Sequence, residues 1–362
     1  MTSLVVQTSF IGDMVLTTPL IAELARRGPV DVLTTPITAP LLDNNPDVRR
    51  VILYDKRGAD RGPVGLWRAA RSTRELFEEG RKRPVTYDVA YLAQGSVRSA
   101  IAARLVGAKE YVGFSTSAGR ALYTRAVPYR EERHHAERLW SLCTWDARGT
   151  EAPSTLRPSL YPGEQERAAV DAVLELAGPA LAADGGSRLS RTAHQPLVVL
   201  APGSTWATKR WPHFADLARL LAPQFLVALI GGESENEAAS TIQHQSNVDL
   251  LDATGVLSLL GSAELIRRAA VLVTNDSAPL HLASAMNTPT VAVFGPTVPA
   301  FGFGPLARRS SVAGLDTLPC RPCHRHGPRR CPLGHWRCMR DLSAEYVAGL
   351  VKAASDRLAN SQ

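Results

Sequence analysis

The chain has 362 residues, 45% of them hydrophobic and 21% charged, with a net charge of +7 and five cysteines; these are the proportions of a soluble globular protein long enough for two domains with their own cores. No apolar run reaches bilayer-spanning length and no signal peptide opens the chain, so the expected location is the cytoplasm, with peripheral membrane contact left open. The positive excess leans towards the first half, where residues 1–165 hold 23 Lys and Arg against 18 Asp and Glu, and no nucleic-acid-binding module accompanies it.

Leu4-Val5-Val6 begins a strand that runs into TSFIGDMVLTTPL (residues 8–20), after which IAELARRG has helical spacing. VDVLTT, VRRVILY and DVAYLA repeat the strand pattern, and the segment around LWRAARSTRELFEEG and SAIAARLVG repeat the helical one. This alternation predicts a parallel sheet with crossover helices over residues 1–165. The proline-rich EAPSTLRPSLYPGEQ, a helix at 164–177 and the small polar ADGGSRLSRTAHQP follow, and 166–195 reads as a linker region.

A second series starts at PLVVLAPGS. Helices are predicted at 213–222, near 234–245, at 258–269 and at 279–286, interleaved with FLVALIGG, VDLLDAT, VLVTND and TPTVAVFGP. Residues 196–342 then form a second domain, and an amphipathic helix from Ser343 to Leu358, within 343–362, is placed to cross back to the first. The expected class is α/β, two Rossmann-like halves with a cleft between them.

The turn after the first strand usually carries a glycine-rich phosphate loop, yet here Gly12 and Asp13 occupy a tight turn among apolar residues. In APGSTWATKRWPHF, Pro202-Gly203 turns the chain, Ser204 and Thr205 offer hydroxyls and N–H groups, and Lys209 offers a charge suited to a diphosphate. A capped turn with a surface lysine would read the same way, but Trp206 and Trp211 flank the lysine, and a loop rarely spends two tryptophans on solvent. In VLVTNDSAPLHLASA, Asn275, Asp276 and Ser277 end a buried strand and Pro279 opens a helix. Asp276 or Ser277 could simply cap that helix. Alternatively, a diphosphate lies over the N–H groups of Ser277 and Ala278, Asp276 binds sugar hydroxyls and His281 reaches the phosphate. Beyond FLVALIGG, Glu233 is a ribose candidate, with Glu235 and Glu237 as competitors.

CRPCHRHGPRRCPLGHWRC holds Cys320, Cys323, Cys331 and Cys338 between His324, His326 and His335. Three states stay open: a structural metal such as zinc on the four cysteines, free thiols in a packed lobe over 318–340, and disulfides, which a cytoplasmic setting disfavours. Six arginines and no acid lie between 320 and 340, while Cys143 reads as core.

IGDMVLTTPL, PGSTWATKRWP and NDSAPLHLASAMNTPTVAVFGPT, in that order across nearly the whole chain, resemble the glycosyltransferase family 9 heptosyltransferases. The resemblance implies a GT-B fold of two facing Rossmann-like domains, with the acceptor on the first and the nucleotide-sugar mainly on the second. It implies an inverting, metal-independent transfer of heptose from ADP-heptose to an inner-core lipopolysaccharide acceptor (lipid A-Kdo or heptosylated core). No cofactor serves catalysis and no nucleic acid is a partner. The acceptor is anionic and lipid-linked, which places the enzyme at the cytoplasmic face of the inner membrane. By the same resemblance Asp13 is the general base, and Ser204, Thr205, Lys209, Asp276, Ser277, Ala278 and His281 bind the donor. The ribose acid falls near Glu233 and the adenine-facing apolar residue near Leu257. Ala278 departs from the glycine of many members, and alanine restricts φ. The alternatives are a GT-B transferase for another nucleotide-sugar, serving a different glycan or metabolite, and a non-catalytic nucleotide-binding scaffold. An oxidoreductase is disfavoured because no G-x-G-x-x-G follows the first strand.

Overall fold

The computed structural model describes residues 1–74, 85–145, 156–180 and 195–359. The end of the LWRAARSTRELFEEG helix, the EAPST segment and most of the small polar stretch before Gln195 lie outside the described residues. The chain divides into two compact units, Met1–Tyr161 and Pro162–Gln362.

In the first unit β1 (Ser3–Val6), α1 (Ile11–Ala25), β2 (Val30–Thr34), β3 (Arg50–Leu53), α2 (Gly62–Arg74), β4 (Tyr87–Leu92), α3 (Val97–Val106), β5 (Ala108–Phe114), β6 (Arg125–Val127) and α4 (His135–Trp140) follow in order. All strand pairs are parallel, in the order β3-β2-β1-β4-β5-β6. Every residue of β1 is buried, as expected of a central parallel strand with helices on both faces. Leu4, Val6, Leu33, Tyr87 and Leu92 share one core. The buried acid of β2, Asp31, accepts a hydrogen bond from the Tyr87 hydroxyl at 2.7 Å and two from the Arg49 guanidinium at 2.8 and 2.7 Å. A buried carboxylate is tolerable with such partners.

α1 contains Pro19, which cannot donate to the Val15 carbonyl. The Thr18 hydroxyl takes that carbonyl instead, at 2.8 Å. The helix therefore runs on past its proline with its acceptors satisfied.

The second unit comprises α5 (Glu164–Ala180), β7 (Leu197–Ala201), α6 (Phe214–Leu221), β8 (Leu226–Leu229), α7 (Asn236–Ser246), β9 (Leu251–Asp252), α8 (Leu259–Arg268), β10 (Val271–Asn275), α9 (Ala278–Met286), β11 (Thr290–Val293), β12 (Ser310–Ala313), α10 (Arg337–Arg340) and α11 (Ala344–Ala359). Its sheet order, β12-β11-β10-β7-β8-β9, is the first sheet's connectivity again, with the reversal of strand order between the first and fourth strands. α5 lies in the stretch read as linker, yet it packs on α8, and Asp171 pairs with Arg268. α11 buries Val347 and Val351 in the second unit's core, beside Trp211 and Phe214. Two Rossmann-like units in one chain are the GT-B class of architecture.

Candidate active site

In open parallel sheets ligands gather at the carboxyl ends of the strands, where the strand order reverses. In the first unit that point lies between β1 and β4. Thr8 and Ser99 join their ends through hydroxyls 3.2 Å apart, and Ser99 donates to Gln94 Oε1 at 2.5 Å. Gln7 Nε2 donates to Thr17 Oγ1 at 3.1 Å, and Lys56 Nζ donates to the Thr8 carbonyl. Gly12 and Asp13 lie inside the first turn of α1 rather than in a tight turn before it. Gly12 is buried in ordinary helical backbone, so small size rather than conformational freedom suits it there.

The Asp13 side chain is 20% exposed, and Oδ1 lies 3.7 Å from His135 Nε2 on α4. Burial raises the carboxyl's pKa above the ordinary aspartate value, against opposing hydrogen bonds from the Ser9 side chain and the Phe10 backbone. Lys56 is held below its usual pKa by burial and by its neighbours Arg57 and Arg98. The stretch before α1 therefore meets, through the Thr8 carbonyl, a basic cluster that sequence reading did not single out, because its members come from two separate segments.

In the second unit the loops after β7, β8, β10 and β11 meet at the carboxyl edge. Asn275 ties the first to the third: its Nδ2 donates to the Pro202 carbonyl at 2.8 Å, and its Oδ1 accepts from the Trp211 backbone at 3.2 Å. Lys209 Nζ lies 2.6 Å from Asp276 Oδ2, with both side chains nearly buried, and Thr297 Oγ1 donates to the same oxygen at 2.7 Å. Ser277 precedes α9 in extended backbone without capping it through its side chain. Ala278 takes an ordinary helical conformation there, so glycine is not required. His281 is buried one turn in, edge-on to Phe303 at 6.3 Å. Ser204 is buried and Thr205 exposed on the same loop.

The profile of glycosyltransferase family 9 (heptosyltransferase) matches residues 81–336. The chain belongs to glycosyltransferase family 9. Lipopolysaccharide heptosyltransferase 1 of Pseudomonas aeruginosa is 29% identical, covering 98% of this chain and 95% of that protein. The glycosyl transferase family 9 structure from Veillonella parvula superposes with a TM-score of 0.81 at 21% identity, covering 98% and 97% of the two chains. The structure of E. coli ADP-heptose LPS heptosyltransferase II superposes with 0.74 at 24% identity, covering 99% of each.

Other expected members of this family 9 site fall less neatly. Glu233 is exposed at the end of β8, while Glu235 packs on the Lys209 loop, where a Cβ on Gly203 would come within 2.8 Å of Glu235 Cγ. Leu257 is half-buried just before α8. Trp211 is a core residue rather than a ligand-facing one; it is buried and its indole donates to the Leu342 carbonyl at 2.9 Å.

The lobe around 318–340 also departs from expectation. All five cysteines are free thiols, and among the described residues no group of three or more His, Cys, Asp or Glu is arranged to hold a metal ion. The structural zinc expected on Cys320, Cys323, Cys331 and Cys338 is not supported, because Cys338 turns into the apolar core on α10. Burial, then Cys323, pushes the Cys338 thiol up to about 11. The lobe instead ties together the loops after β7 and β11. Arg321 donates to the Phe294 carbonyl at 2.9 Å and the Thr297 carbonyl at 3.3 Å, and Thr208 Oγ1 donates to the Pro328 carbonyl. Gly327, at φ +83°, lies over Lys209, where a Cβ would come within 3.1 Å of Cε.

The raised pKa of Asp13 has a consequence for stability. A carboxyl that ionises less readily when folded costs stability above its unfolded pKa and nothing below it. Asp13→Asn should therefore melt at a higher temperature than the unsubstituted protein at pH 7, and the two midpoints should converge as pH falls to about 4. Scanning calorimetry across pH checks this.

Proposed function

We propose that this family 9 glycosyltransferase moves heptose from ADP-heptose to an anionic, lipid-linked inner-core lipopolysaccharide acceptor by a single inverting displacement. The observation that carries the reading is the division of chemistry between the units: a half-buried carboxyl of raised pKa in the first and an anion-receptive strand edge in the second. The curated relatives' names as lipopolysaccharide heptosyltransferases support the substrates.

Asp13 takes the proton of the acceptor hydroxyl as that oxygen attacks the anomeric carbon and the bond to ADP breaks. A carboxyl that burial holds above the ordinary aspartate value takes up the acceptor's proton more readily than an ordinary one. Lys209 and the N–H groups of Ser277 and Ala278 offset the charge that develops on the leaving diphosphate, and His281 supports them. One oxygen of Asp276 serves Lys209 and Thr297, which leaves the other for sugar hydroxyls. Ser204 and Thr205 add contacts from the β7 loop. Glu233 binds ribose and Leu257 faces the adenine. No added cofactor takes part in this scheme.

No helix among the described residues is long and apolar enough to cross a membrane. On the first unit, however, Phe10 (63% exposed), Val64 (69%) and Trp67 (52%) are solvent-facing, and Arg71 stacks over Trp67 at 5.4 Å. Arg57, Arg61 and Arg68 are exposed on the same segments. Apolar side chains among arginines match an anionic bilayer surface, so we place peripheral contact with the acceptor's membrane here.

Three outcomes are expected. Asp13→Asn lowers transfer by roughly 10²-fold or more while ADP-heptose affinity stays within a few-fold, and retained turnover would remove Asp13 as base. Lys209→Ala weakens ADP binding about tenfold by calorimetry, the cost of a lost charge-assisted contact, and an unchanged affinity would defeat the diphosphate role. Trp67→Ser combined with Val64→Ser reduces co-sedimentation with anionic vesicles while activity on a soluble acceptor fragment is kept; equal sedimentation would place the membrane contact elsewhere.

A further inference from the structure

His135 is the first residue of α4, and the chain around it is fixed from both sides. His134 Nδ1 accepts the Ala136 backbone N–H at 3.2 Å, and Glu137 Oε2 accepts the N–H of His134 at 3.3 Å, a reciprocal cap that sets where the helix starts. Arg138 is almost fully buried. Its guanidinium donates to the Arg130 carbonyl at 2.9 Å, the Tyr129 hydroxyl at 2.8 Å and the Glu131 carbonyl, and it stacks over the Tyr129 ring at 5.0 Å. Ala136 and Leu139 are fully buried, and α4 packs on α1. With its neighbours so held, His135 turns its imidazole towards α1. It is 12% exposed, with Nε2 3.7 Å from Asp13 Oδ1.

That geometry bears on what a base must do. A carboxylate in a largely apolar setting can rotate about Cβ–Cγ, and each wrong rotamer points the accepting oxygen away from the hydroxyl. Misplacement of about 1 Å can cost on the order of 100-fold in rate. Ser9 and the Phe10 backbone reach Asp13 from the turn before it, and His135 reaches it from a different element. We infer that His135 is a positioning residue for Asp13: its imidazole, with Nε2 3.7 Å from Oδ1, walls one side of the carboxylate at charge-pair distance and so limits the directions in which it meets the acceptor hydroxyl. The inference rests on the reading of Asp13 as the base. The acceptor proton goes to Asp13 and the imidazole keeps its own, so His135 touches neither donor nor acceptor. Its role belongs to kcat rather than to binding.

His135→Ala should lower kcat on the order of 100-fold while the KM values for ADP-heptose and acceptor stay within a few-fold. His135→Gln, which sets an N–H donor near the place of Nε2, should recover much of the loss, and added imidazole should recover part of it in the alanine variant. A merely structural residue would instead lower the melting temperature and show no rescue. An unchanged kcat in His135→Ala, or a loss that neither glutamine nor imidazole restores, overturns the inference. Asp13→Asn measured alongside separates the two readings: if it is inactive while His135→Ala turns over normally, only the positioning role falls, whereas turnover in Asp13→Asn removes the base and the positioning role together.

Discussion

Every strand of both sheets runs parallel, so in each unit the carbonyl groups at the strand ends converge on one edge with no ladder partner beyond it. Buried backbone oxygens must be satisfied, and here side chains do it. The Thr34 hydroxyl donates to the Gln7 carbonyl at 2.8 Å in the first unit, and Asn275 Nδ2 donates to the Pro202 carbonyl at 2.8 Å in the second. The first bond ties the end of β2 to the turn after β1, and the second locks the loops after β7 and β10 at the place where the strand order reverses. Polar side chains needed for folding thus stand at the position where a ligand binds, and the chemistry of each unit is an elaboration of that requirement. The lobe of residues 318–340 follows the same rule, with Arg321 serving carbonyls beyond β11.

Much of this was legible along the chain because it is local. Apolar runs such as Leu4–Val6 and Val271–Asn275 are short, continuous and followed by turn chemistry, which marks buried parallel strands without any knowledge of their partners. Asp276 follows such a run directly, and Asp13 and Lys209 lie shortly beyond two others, so position nominated them and the family resemblance gave them roles. What escaped depends on distances through space. His135 meets Asp13 across 122 positions of sequence, and Lys56 reaches the Thr8 carbonyl from the end of a different strand. Trp211 shows a related limit: in sequence, a pair of tryptophans flanking Lys209 reads as kept from solvent in favour of a binding loop, whereas Trp211 begins the approach to α6 and fills the core beneath it. The cysteines carry plausible zinc spacing, but spacing cannot tell that Cys338 sits on a short helix facing the core. Gly12 illustrates a boundary error, since the helix already begins at Ile11, ahead of the glycine and acid read as a turn before it.

The two units share one connectivity and differ in how they treat the reversal point. In the second, Lys209 from the loop after β7 and Asp276 from the end of β10 meet at 2.6 Å, a nearly buried ion pair further held by Thr297. Such a pair keeps both groups ordered before any ligand arrives, which lowers the entropy that binding must overcome. On the proposed reading, a diphosphate entering here would share a lysine that is already placed. Gly327 contributes by absence, since its missing Cβ leaves Lys209 the room that any other residue would contest.

In the first unit the corresponding link between β1 and β4 is a pair of hydroxyls, Thr8 and Ser99, 3.2 Å apart and uncharged. The difference matters for a base. A lysine 2.6 Å from Asp13 would stabilise its carboxylate and depress its pKa, leaving little affinity for the acceptor's proton. Lys56 spends its ammonium on the Thr8 carbonyl instead, and burial beside Arg57 and Arg98 weakens its own hold on a proton. Asp13 is left with lighter partners: a serine hydroxyl, a backbone N–H and an imidazole at 3.7 Å. These orient the carboxyl without cancelling the burial that raises its pKa. On the proposed reading, a second unit that holds an anion and a first that keeps an acid reactive need opposite treatments of the same topological position, and the two units do differ there, an ion pair in one and two hydroxyls in the other.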